Sequence, residues 1–228
     1  MRSFKNDPAL KAKYIDRIKA HMAADELIRG IGWDGHRGCA VGCTLEYYDH
    51  SLYPIELGIP EWAAKLEDAI FEGLPADLAM TWPLRFLDAV PVGMTDAQWQ
   101  SVLHRTEARR MKYLADQLES EIGDSWGVVE AVRAVLDLHA AESTATESWS
   151  AASSAASSAA SRATSRAACR ASLSAAYSAA GNAAGSAVWS ASLSESGIKD
   201  NGAAMEASYL RESEWLLSAI AESTQDRT

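Results

Sequence analysis

Apolar positions along this chain recur at helical spacing almost from end to end, and no stretch alternates as a strand would. Asp7 as N-cap and Pro8 at the first helical position open a helix carrying Leu10, Tyr14, Ile15, Ile18, Met22, Leu27 and Ile28, ending near Gly30. The segment GIGWDGHRGCAVGC, residues 30–43, holds five Gly, too many for a helix interior, and reads as a loop with backbone positions at positive φ. Thr44 can cap a short helix within 44–58, broken at Pro54 and Gly58. Pro60 then opens a helix through Phe71. A further helix over 76–89 carries Leu78, Trp82, Leu84, Phe86 and Leu87, and Pro83 must kink or divide it. Thr95 with Gln98 forms a capping-box pattern at the head of a helix running through Leu118. Asp124 is the next N-cap, ahead of the stripe Val128, Val129, Val132, Val135, Leu136 and Leu138.

Beyond His139 the pattern changes, and from Trp149 to Ser192 the chain can be written as eleven consecutive tetrads. The third lane is Ala in every tetrad, from Ala151 and Ala155 to Ala191. The second lane is Ser, then Arg162, Arg166 and Arg170, then mostly Ser again. The first lane carries Trp149, Leu173, Tyr177 and Trp189 among small residues. Alanine is the best helix former, so a helix is expected, ~1.5 Å per residue and roughly 60 Å long if unbroken. A period of four turns each lane by about 40° per tetrad around a helix of 3.6 residues per turn. An all-Ala lane lets a partner backbone come close. Gly181, Asn182 and Gly185 mark the point of a kink or hairpin, and repeat expansion in a disordered linker is the alternative reading. After a breaker-rich turn at 197–202, a last amphipathic helix spans about 203–221 and can dock on the rod or on the N-terminal helices.

The fold class that follows is all-α. A multi-helix domain covers 1–141, an Ala/Ser-rich tetrad helix, kinked or hairpin-like, covers 142–196, and the C-terminal helix lies in 197–228. A net charge of −10 disfavours direct nucleic-acid binding and favours a basic partner. Three Cys, no secretory leader and no run of 18 apolar residues point to a reducing, cytoplasmic setting without a membrane span. Eight Trp against three Phe suggest helix contacts.

Chemistry concentrates in the Gly-rich loop. His36, Cys39, Cys43 and His50 are a valid tetrahedral zinc set, although a spacing of three residues between the Cys departs from the usual two-residue knuckle. Arg37 and His36 could lower a thiol pKa, against two small buried Cys as the plainer reading. Glu67 with Asp68, and Glu56 with Glu61, read as solvated faces rather than acid–base pairs. No P-loop, dinucleotide fingerprint or nucleophile elbow occurs. The ridge Arg162, Arg166 and Arg170, with Trp149, Tyr177 and Trp189, is a candidate interaction surface, against a solvated cationic face and helix-docking aromatics.

Residues 37–75, RGCAVGCTLEYYDHSLYPIELGIPEWAAKLEDAIFEGLP, with TWPLRFLDAVPVG at 81–93, resemble an uncharacterised family of bacterial and phage proteins that often carry SAA-type tetrads. The resemblance implies no activity. In that family a His often follows the second Cys by three residues, where this chain has Glu46. Phage association implies an accessory role, such as binding a host defence protein. Two functions follow as expectations: a non-enzymatic, cofactor-free interaction protein that forms a homo-oligomer and binds another protein, or a zinc protein or metalloenzyme built on the His/Cys loop.

Overall fold

The computed structural model describes residues 1–122, 127–164 and 202–225, and among these the chain is all-helical, with no β-strand. They belong to two compact units, Met1–Val102 with Asn201–Thr228, and Leu103–Asp200. Among the described residues no helix is long and apolar enough to cross a membrane.

In the first unit a 3-10 turn at Ser3–Asn6 precedes α1, Pro8–Ala23. Asp7 caps α1 as expected, its carboxylate accepting from Ala9 N at 2.8 Å. The helix stops at Ala23, short of the Gly30 that the apolar spacing suggested. Asp25 sits at φ 58, and the backbone then turns back, with Ile28 N donating to Gly38 O and Gly38 N to Glu26 O. Leu27 is buried in this irregular segment, so a residue in helical register serves the core from a loop.

Short helices α2 (Ala40–Leu45) and α3 (Leu52–Glu56) follow, then α4 (Glu61–Gly73), α5 (Ala76–Ala79) and α6 (Trp82–Ala89). Cys39, not Thr44, stands at the N-cap of α2, its sulfur accepting from Gly42 N at 3.5 Å, and Thr44 is buried inside the helix. Pro83 divides rather than kinks. It occupies the first turn of α6, where its missing N–H costs nothing. α4 is covered nearly all round, by α2, α3, α5, α6 and the last helix, α10 (Gly202–Gln225). Leu66, Ile70, Phe71, Trp82 and Phe86 are fully buried in this core. Of the two docking options, α10 takes the N-terminal helices: the Tyr209 ring lies against Gly73, and Leu216 and Ile220 are buried. Arg85 pairs with Glu214 at 3.1 Å.

α7 (Asp96–Ile122) opens on the expected capping box, with Gln98 N donating to Thr95 Oγ1 at 3.3 Å and Thr95 N to Gln98 Oε1 at 3.0 Å. Its later residues, with α8 (Val128–Ala140) and α9 (Thr146–Thr164), form the second unit around Met111, Leu118, Val129, Val132 and Val135. α9 meets this core through Ala152, Ala156 and Ala159. The buried stripe thus starts in the fourth lane and crosses to the third, while third-lane Ala151 and Ala155 are exposed. That shift is the drift a four-residue repeat imposes on a 3.6-residue helix. The Asp124 cap, the Gly181–Gly185 kink, Cys169, Arg166, Arg170, Tyr177 and Trp189 lie outside the described residues.

Candidate functional site

The Gly-rich loop of the first unit is threaded tightly over the start of α2. Cys39 N donates to Ile31 O at 2.8 Å, and a Cβ on Gly38 or Gly42 would meet the carbonyl oxygen of Gly32. Close backbone approach therefore explains these two glycines, while positive φ is confined in this loop to Gly30 and Gly35. The fold sends the four residues of the sequence-derived His/Cys set to two different places.

One place is Glu26. His21 Nδ1 lies 2.6 Å from Glu26 Oε2, and the exposed His36 reaches Glu26 Oε1 at 3.1 Å. Cys43 is fully buried, its thiol donating to Gly38 O at 3.3 Å and Glu26 O at 3.7 Å. Burial, with smaller contributions from Glu26, Asp34 and Glu46, pushes that thiol up to about 12. Glu46, at φ 55 and C-terminal to α2, pairs with Arg17 at 3.2 Å.

The other place is the face of α4 that carries Asp68 and Glu72. His50 Nε2 is 3.0 Å from Asp68 Oδ2, and Tyr48 OH donates to the same oxygen at 3.1 Å. Asp68 is 7% exposed, yet its Oδ1 has nothing beyond the neighbouring Cys39 thiol, a weak donor. Glu72 accepts from Gly30 N with both oxygens, at 3.0 and 2.9 Å, which ties the loop to α4. Cys39 completes the group: ligand atoms of Cys39, Asp68 and Glu72 all lie within 4.8 Å of one another. Burial first, then the neighbouring Asp68 carboxylate, raises the Cys39 thiol well above the usual range. Neither loop Cys is therefore a thiolate nucleophile at neutral pH, and Arg37 pairs with Asp34 at 3.5 Å rather than with a thiol.

The carboxylates of α4 are where the reading of solvated faces fails. Glu67 is fully buried, accepts from Tyr53 OH at 2.6 Å, and has a pKa raised far above the carboxylate range by desolvation. The signal was present in the spacing, since Glu67 follows Ala63 by four and precedes Ile70 and Phe71 by three and four, all buried. Trp62 and Trp99 meet edge to face at 5.8 Å, in keeping with the surplus of Trp.

In the second unit Trp149 is half-buried against His104 and His139, with ring centroids 6.2 and 4.8 Å away, and its Nε1 donates to Ser143 O at 2.8 Å. It docks α9 within its own unit. Arg162 lies on α9. Comparison of the chain with protein-family models, with curated proteins and with solved structures finds no match.

Proposed function

We propose that this chain is a non-enzymatic protein-interaction module, a phage-type accessory protein that binds a host protein such as a defence factor and works as a cytoplasmic homo-oligomer. The observation that carries this reading is a set of exposed apolar side chains on the Gly-rich loop and just after α2: Tyr47 is 59% exposed, Tyr48 47% and Ile31 38%. Single exposed apolar residues are ordinary, but here the Tyr48 ring rests on Gly32, next to Ile31, and Tyr47 precedes Tyr48 in the chain. Tyrosine suits a protein interface, offering large rigid area and a polar tip. The charge of −10 directs the module to basic partner surfaces and away from nucleic-acid backbone. The resemblance to bacterial and phage proteins supports the accessory role, and exposed Ala151 and Ala155 offer a small-residue seam for a second copy.

The test uses the full-length chain as bait in host-cell extract, beside a Tyr47→Ser, Ile31→Ser variant whose helicity matches by circular dichroism. We expect a host protein retained by the parent chain and lost from the variant. Retention unchanged by the two substitutions, or none by either chain, overturns the interaction surface. A monomer in native mass spectrometry overturns the oligomeric part.

A further inference from the structure

We propose that Cys39 Sγ, Asp68 Oδ1 and a carboxylate oxygen of Glu72 bind one divalent transition-metal ion of the zinc class, with Tyr48 and His50 fixing Asp68 from behind. The site shares Tyr48 with the proposed interaction surface, and from the zinc set that the sequence suggested it takes Cys39 as a ligand and His50 as a support.

Three features of the geometry carry it. First, the three donors come from separate stretches, Cys39 from the head of α2 and the two carboxylates from successive turns of α4, and they converge within 4.8 Å. Donors around one tetrahedral zinc, with bonds of ~2.0–2.3 Å, stand roughly 3.3–3.8 Å apart, so small side-chain rotations close the set. Second, the two oxygens of Asp68 are treated differently. Oδ2 takes two hydrogen bonds, from Tyr48 and His50, while Oδ1, in a residue only 7% exposed, has nothing beyond the neighbouring Cys39 thiol, a weak donor. A buried carboxylate oxygen met only by a thiol is poorly satisfied, and a cation in front of it removes the cost. Third, Tyr48 and His50 stand where metal sites place the groups that orient a ligating carboxylate, on the oxygen turned away from the ion.

Electrostatics agree with the geometry. Burial first and then the Asp68 charge raise Glu72, opposed by the Gly30 N–H and by Arg29, whose guanidinium also donates to Leu74 O at 3.0 Å. Sulfur in the set selects zinc, cobalt or ferrous iron over magnesium and calcium, which favour oxygen alone. On binding, the Cys39 S–H bond breaks, a sulfur–metal bond forms and one proton leaves to solvent. Glu72 can turn one oxygen to the ion and keep the other on Gly30 N, so metal binding would also staple the loop to α4.

The test loads the full-length, chelator-treated chain with Co²⁺ and separately with Zn²⁺, reading stoichiometry by equilibrium dialysis and thiolate-to-cobalt charge transfer in the near ultraviolet. The expected result is one ion per chain, a charge-transfer band that survives Cys43→Ser and is lost in Cys39→Ser, and at least a tenfold weaker affinity in Asp68→Asn. Tyr48→Phe, which touches no proposed ligand atom, should weaken affinity by roughly 10–100-fold. Asp68→Asn and Glu72→Gln keep side-chain shape and guard against loss of fold, which circular dichroism checks. Absence of stoichiometric binding overturns the site, and so does a band lost in Cys43→Ser but retained in Cys39→Ser.

Discussion

Tyr53 and Glu67 are both wholly buried and hold each other through a 2.6 Å hydrogen bond. Glu67 Oε1 has no partner, so Tyr53 supplies the hydrogen bond that the carboxyl has from a side chain. Removing one member of such a pair leaves the other desolvated and unsatisfied, whereas removing both can be nearly neutral. Tyr53→Phe should therefore cost about 1–3 kcal/mol, and adding Glu67→Leu should recover much of it, as read from urea midpoints at constant slope. A double variant at least as destabilised as the sum of the single ones would show that the pair is not coupled. The candidate site marks the limit of legibility at this scale. Cys39 was singled out by its chemistry and Gly30–Cys43 by composition. Asp68 and Glu72, about 30 residues away in sequence, enter only because α4 packs against α2, a long-range contact that spacing does not encode.

At the scale of the element, the repeat of α9 makes a sharper statement than its composition. The core takes Ala152, Ala156 and Ala159, two steps of four and three, while Ala151 and Ala155 face solvent. Neighbouring alanines in one tetrad thus have opposite environments. Ala156→Leu forces extra methylenes into a tight seam with α8 and should destabilise the second unit by about 1–3 kcal/mol. Ala155→Leu should change stability by less than about 0.5 kcal/mol. Equal effects in thermal unfolding would mean that the stripe does not drift as described. Local signals were readable elsewhere too: the Asp7 cap, the Thr95/Gln98 box and the break at Pro83 all involve residues within four positions of one another. The end of α1 was not readable, because Leu27 keeps helical spacing while the backbone leaves the helix at Ala23.

For the whole molecule, the all-α class followed from periodicity alone, since an apolar stripe at 3.6 residues leaves only helix packing to bury it. Which helices share a unit did not follow, and α10 belongs with the residues before Val102 rather than with the repeat that precedes it. Among the described residues of the second unit, a buried His pair carries a pH dependence. His139, 5% exposed, faces His104 at 3.1 Å between their Nδ1 atoms and the Trp149 ring, with Arg110 on its own side of the charge balance and Glu142 near His104. Burial first, then His104 and Arg110, lowers His139 from 6.5 to about 3, and burial lowers His104 as well. Because these folded-state pKa values lie below the unfolded one, the unfolded chain takes up protons first as pH falls. Stability is thus intact above pH 6.5 and lost below it, at about 1.4 kcal/mol per pH unit for each proton. At pH 5 the His139 contribution alone should cost the second unit about 2 kcal/mol relative to pH 7.5. Amide hydrogen exchange at the two pH values, corrected for intrinsic rates, should then show α8 and the described part of α9 losing protection. A His139→Phe variant, which keeps a ring against Trp149 without a titrating group, should lose most of that difference. Protection in α8 that is the same at pH 5 and pH 7.5 would mean that the buried His pair does not govern the unit.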